Sequence, residues 1–83
     1  MSYDVLIEKN AIKEIKKFPV PDIQRIKEAI KKLPDFPARM DVKKLAGTRN
    51  IYRIRTGHYR ILIELEVHTV KVFAVFHRKK AYK

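Results

Sequence analysis

The stretch from Ile51 to Tyr82, IYRIRTGHYRILIELEVHTVKVFAVFHRKKAY, decides the fold. β-branched and aromatic residues dominate it, and it is interrupted at Thr56-Gly57 and Val67-His68. This pattern predicts three consecutive antiparallel strands, two tight turns and a short basic tail. A two-residue loop at Thr56-Gly57 pairs Arg55 with His58, Arg53 with Arg60 and Ile51 with Leu62. A turn centred on Val67-His68 pairs Glu64 with Lys71, Leu62 with Phe73, Arg60 with Val75 and His58 with His77. The opposite charges of Glu64 and Lys71 support that register.

Side chains alternate across a strand, so this register sorts the meander into two faces. One face, with Tyr59, Ile61, Ile63 and Leu65 against Phe76, Ala74, Val72 and Val70, is wholly apolar and is expected to be covered by helices. The other collects Arg53, Arg55, Arg60, His58 and His77, with Arg78 at the strand end. Ile51, Leu62, Phe73 and Val75 continue that face as an apolar patch. Like charges directly opposite each other weaken a sheet, and sequences break local rules chiefly at functional sites. Long arginines can fan apart in water, so one would signify little. Several on paired strands point to an anionic ligand.

Upstream, Tyr3–Ile7 reads as a short strand with Tyr3, Val5 and Ile7 on one face. Asn10 is the expected N-cap of a helix over 11–17, stopped by Pro19 and Pro21. Asp22 is the expected N-cap of a second helix ending near Leu33, with Ile23, Ile26, Ile30 and Leu33 as its apolar stripe. The Val42–Gly47 segment has room for one helical turn. The expected fold is therefore α+β, in the order β-α-α-β-β-β. An antiparallel meander is packed on one face by a helical hairpin, in one domain spanning 1–83.

Composition narrows the chemistry. Twenty Lys and Arg against nine acids give a formal charge of +11 on 83 residues. Solubility alone is served by a net magnitude of about 2–8. An acidic partner, nucleic acid or protein, is the stronger reading. The absence of cysteine excludes disulfides, thiolate zinc sites and cysteine catalysis. No apolar run reaches the ~20 residues of a membrane helix and no signal peptide is evident, so a cytoplasmic location without membrane contact is expected.

Arginine matches phosphate with a two-pronged fork and stays charged, so it stabilises anionic transition states but moves no proton. With RNA as substrate, its own 2′-OH can be the nucleophile. Carboxylates for a two-metal site are sparse, and His58, His68 and His77 lack metal-ligand spacing, so no metal or cofactor is expected. Proton transfer would fall to Tyr82, lying among cations that favour its phenolate, or to His77.

Four motifs then coincide: Lys44-Leu45-Ala46-Gly47, Tyr52-Arg53-Ile54-Arg55, Gly57-His58-Tyr59-Arg60, and His77-Arg78 with Tyr82. In this order and spacing they resemble the RelE/ParE superfamily of toxins from type II toxin–antitoxin systems, over essentially the whole chain. The resemblance is greatest to RelE-type mRNA interferases. It implies a ribosome-dependent endoribonuclease that cuts mRNA in the decoding site by 2′-OH attack, halting translation. It further implies catalytic roles for Arg53, Arg55, Arg60, Arg78 and Tyr82. Lys43, Lys44, His58, His77, Lys79 and Lys80 would bind RNA or phosphate. The implied partners are an acidic RelB-like antitoxin, mRNA and ribosomal RNA. Two readings stand beside it: a ParE-like toxin acting on DNA gyrase, and a non-catalytic RNA- or ribosome-binding module. Arginines stand where some RelE toxins carry lysines, which weakens any general-acid role there because arginine holds its proton. The spacing from Arg78 to Tyr82 is shorter than in some relatives.

Overall fold

Helices are expected wherever an apolar stripe needs a sheet to cover, and the computed structural model, which describes residues 2–37 and 39–81, has that arrangement. Strand β1 (Asp4–Ile7) is followed by helices α1 (Lys9–Lys16) and α2 (Val20–Lys31). A 3-10 turn at Leu33–Asp35 leads to β2 (Asp41–Lys44), β3 (Ile51–Thr56), β4 (Tyr59–Leu65) and β5 (Thr69–His77), and a second 3-10 turn spans Arg78–Ala81. The sheet order is β1-β5-β4-β3-β2, with β1 parallel to β5 and every other pair antiparallel. The α+β class holds, with one strand more than expected.

That strand is β2. Val42-Lys43-Lys44, expected as a helical turn, instead pairs with Ile54-Arg53-Tyr52. Four residues with one apolar side chain turned inward carry too little alternation to announce a strand. What makes it one is the otherwise unpaired edge of β3. The return from β2 is closed by Thr48, whose hydroxyl donates to the Leu45 carbonyl at 2.7 Å.

Both helix starts also differ from expectation. α1 begins at Lys9 after Glu8, whose N–H bonds the Val72 carbonyl at 2.9 Å and whose own carbonyl accepts from Ile12. The chain leaves the sheet and turns helical at once, which places Asn10 inside the first turn. α2 starts at Val20, and the Pro19 carbonyl accepts from Asp22 and Ile23 at 3.0 Å. Pro21 sits where a missing N–H costs nothing. Asp22 therefore lies in the first turn, where the helix dipole favours a carboxylate.

The β3–β4 turn is Gly57-His58, one residue later than expected. It pairs Thr56 with Tyr59, Arg55 with Arg60, Arg53 with Leu62 and Ile51 with Glu64. Gly57 has φ +57°, a conformation that favours glycine, and the Arg25 guanidinium packs where a Cβ would stand. The slip in pairing is two residues, so side chains keep their faces.

Between β4 and β5, Ile63–Val72, Glu64–Lys71 and Leu65–Val70 pair as expected, but a bulge follows. Beyond it Leu62 pairs with Ala74, Ile61 with Val75, Arg60 with Phe76 and Tyr59 with His77, which leaves Phe73 as the extra residue. An odd insertion reverses the faces. Val75 enters the core, and Phe76 and Ala74 move to the arginine face. Along Val72–Phe76 every side chain is apolar, so nothing in the pattern marks the reversal.

The core consists of Ala11, Ile26, Leu33 and Phe36 from the helical layer packed on Ile54, Tyr59, Ile61, Ile63, Val70, Val72 and Val75. Full burial of each large aliphatic contributes about 1.5–3 kcal/mol before entropy. Ile12, in contrast, is 38% exposed, and with Ile15, Ile23 and Ile30 it lines an outward apolar groove of about 470 Å³. The hairpin thus carries more apolar surface than the sheet covers. Among the described residues no helix is long and apolar enough to cross a membrane.

Candidate functional site

Register assembles the open face of the sheet in rows. Asp41, Arg55, Arg60 and Phe76 lie side by side across β2, β3, β4 and β5; Lys43, Arg53, Leu62 and Ala74 form the next row. Ile51, Glu64, Lys71 and Leu6 form the third, reaching β1. The expected apolar patch is present with altered membership: Ile51 and Leu62 remain, Ala74 and Phe76 join, and Val75 leaves for the core.

The third row is electrically satisfied. Lys71 Nζ lies 3.0 Å from Glu64 and 3.9 Å from Glu8, and the hydrogen bond it donates to Glu64, then the charge of Glu64, raises the lysine pKa. The first row is satisfied on one side only. Arg55 Nε donates to Asp41 Oδ2 at 2.6 Å, with both side chains about half exposed. Nothing in the sequence pattern marks Asp41, because β2 lacks the alternation of a strand. Arg60, directly opposite Arg55, makes one long hydrogen bond of 3.4 Å to the Tyr59 carbonyl and no salt bridge among the described residues. In the middle row Arg53 stands beside Lys43, and its Nε is buried without a hydrogen-bond partner among the described residues. A buried donor left unpaired costs about 1–3 kcal/mol. Arg53 and Arg60 are therefore cations that an anion would satisfy.

The structure brings together Lys43, Arg53, Arg55 and Arg60, but not every expected partner. Lys44 pairs with Tyr52 and projects to the helix-facing side, because alternation separates it from Lys43. His58 is in the turn and exposed. His77, expected on the arginine face, is carried by the bulge to the helix-facing side. There its ring stands edge-on to Tyr59, with centroids 5.3 Å apart at 83°, and 6.0 Å from the His58 ring. The Tyr59 hydroxyl donates to Asp22 Oδ2 at 2.7 Å, and its ring meets Phe18 at 4.6 Å. Asp22 holds the phenol protonated and, with burial, raises its pKa. His77 Nδ1 accepts the Lys79 N–H at 3.2 Å.

Arg78 opens the terminal 3-10 turn, exposed, with its N–H on the His58 carbonyl at 2.8 Å. Lys79 is exposed beside it. The Lys80 side chain and Tyr82 lie outside the described residues. No group of three or more His, Cys, Asp or Glu is clustered to hold a metal among the described residues.

Comparison with known proteins identifies this architecture. The chain is 38% identical over 82 residues to Toxin RelE3 of Methanocaldococcus jannaschii, covering 94% of this chain and 93% of that protein. The toxin in the crystal structure of a RelB–RelE antitoxin–toxin complex from Methanococcus jannaschii superposes with a TM-score of 0.82 at 36% identity, over 93% of this chain and 94% of that one. The archaeal RelE–RelB complex from Pyrococcus horikoshii OT3 gives 0.81 at 30% identity, over 98% and 100%. Residues 5–82 match the family described as the ParE toxin of type II toxin–antitoxin systems, parDE. The chain belongs to this family of toxins, and these three relatives carry the RelE name.

Proposed function

We propose that this toxin is a ribosome-dependent endoribonuclease, acting in the cytoplasm as one domain on mRNA in the decoding site. The observation that carries the reading is the pair Arg53 and Arg60, two cations on an open sheet face with no acidic partner among the described residues. The RNA 2′-oxygen attacks the adjacent phosphorus in line while the bond to the 5′-oxygen breaks, leaving a 2′,3′-cyclic phosphate and a 5′-hydroxyl. Arg53 and Arg60 hold the non-bridging oxygens and stabilise the extra charge of the transition state. Arg55, shared with Asp41, and Arg78 at the end of β5 complete the cationic rim. Lys43 and Lys79 hold flanking phosphates. Phe76, beside Arg60, offers an aromatic surface on which a base can stack. Tyr82 is assigned the proton transfers, since arginine keeps its proton.

The partner that restrains this activity is an acidic RelB-like antitoxin. The Methanococcus jannaschii and Pyrococcus horikoshii relatives were solved as RelB–RelE complexes, and a charge of +11 favours an acidic wrap. The ParE description of the matched family favours a second reading, inhibition of DNA gyrase. Single-turnover incubation with mRNA-programmed ribosomes separates the two. Cleavage is expected; intact mRNA together with accumulating gyrase–DNA complexes supports the second reading.

A further inference from the structure

We infer that His77 is a positioning residue: its neutral imidazole ties the backbone turn that presents Arg78. The consequence for cleavage rests on the endoribonuclease reading above. The turn at Arg78–Ala81 is fixed by two backbone donors in succession. The Arg78 N–H bonds the His58 carbonyl at 2.8 Å, and the Lys79 N–H bonds His77 Nδ1 at 3.2 Å. An acceptor on residue i taking the N–H of residue i+2 is the arrangement of an Asx turn, with Nδ1 standing where Asn or Asp would put Oδ1. A histidine can do this only with Nδ1 unprotonated, which leaves the proton on Nε2.

The surroundings explain how the ring is held. Tyr59 on β4 stands edge-on to it, is gripped at its hydroxyl by Asp22 of α2, and is packed against Phe18. His58 faces it from the β3–β4 turn, and Arg78 and Lys79 flank it along the chain. His77 therefore acts through the direction of Arg78 rather than by touching substrate. Protonation converts Nδ1 into a donor facing another donor, and the tie is lost. Acid then loosens the turn and Arg78 with it, while Arg53, Arg55 and Arg60 on the sheet keep their places.

The test uses the full chain and two substitutions, His77→Asn and His77→Phe. By NMR, the Lys79 amide of the wild type should shift and lose exchange protection as His77 is protonated. In His77→Asn the amide should stay protected at all pH values, and in His77→Phe at none. In single-turnover cleavage, His77→Asn should keep the rate within a few-fold and abolish the acid limb of the pH profile. His77→Phe should lose up to about 10²-fold in the chemical step, the scale of a misplaced group, with ribosome binding unchanged. A Lys79 amide indifferent to the state of His77 overturns the tie. Equal loss in both variants, with the amide still held in His77→Asn, overturns the positioning role and makes the imidazole a participant in the chemistry. If the wild type cuts no mRNA, the endoribonuclease reading falls, and the amide titration alone decides the tie.

Discussion

Arg60 and Arg55 face each other across β3 and β4, an arrangement the sheet tolerates because Asp41 takes one of them. This division assigns different roles to equal-looking arginines. Arg60→Ala is expected to reduce cleavage by about 10²–10³-fold, the scale of losing one preorganised charge donor, with an unchanged melting temperature. Asp41→Asn should do the opposite. An exposed pair contributes below about 1 kcal/mol, so stability should barely move, while removal of a negative charge from the face should tighten RNA binding. Titration with labelled RNA at two salt concentrations checks this, and weaker binding would contradict it. The arginine face was legible in the sequence because a register slip of two residues leaves parity intact. Asp41 was not, because its role depends on a strand with almost no pattern of its own.

At the scale of elements, the β4–β5 bulge does the most. It turns Val75 inward, brings Phe76 beside Arg60 and sends His77 to the tyrosine side of the sheet. Phe76→Ala should weaken binding to programmed ribosomes several-fold, in line with the loss of one stacking surface, and leave the circular dichroism spectrum unchanged. The Tyr59–Asp22 bond fastens α2 to the sheet. Tyr59→Phe should cost about 1 kcal/mol of stability, measurable by urea titration. The sign of its pH dependence follows from the raised pKa. The contribution of Tyr59 is fully present below the ordinary tyrosine value of 10.0 and is lost as pH rises through the higher folded-state value. The stability gap between wild type and Tyr59→Phe should therefore narrow above pH 10.0. No sequence period foretold the bulge, since Val72–Phe76 is apolar at every position and either face could accept it.

For the whole molecule, two layers perform two tasks. The helical hairpin and the inner sheet face supply the core, and the outer face carries the arginines, two of them without an acidic partner among the described residues. The order of the helical hairpin and the meander was legible because helical and strand periods are distinct over those lengths. Helix starts and β2 were not, because contacts with β5 and β3 set them. With a charge of +11, association with RNA should weaken steeply with salt, each phosphate contact adding roughly 0.7 to the slope on a single strand. Arg53→Ala should lower that slope by about one contact, whereas Lys44→Ala, on the opposite side of β2, should leave it unchanged.

The most direct test of the open arginine face as a nuclease site is primer extension on mRNA-programmed ribosomes, comparing wild type with Arg60→Ala at matched fold and concentration. Discrete cuts by the wild type in the decoding site, absent without ribosomes and lost in Arg60→Ala, are the expected result. Intact mRNA with the wild type, or cuts of equal strength from both proteins, would contradict it.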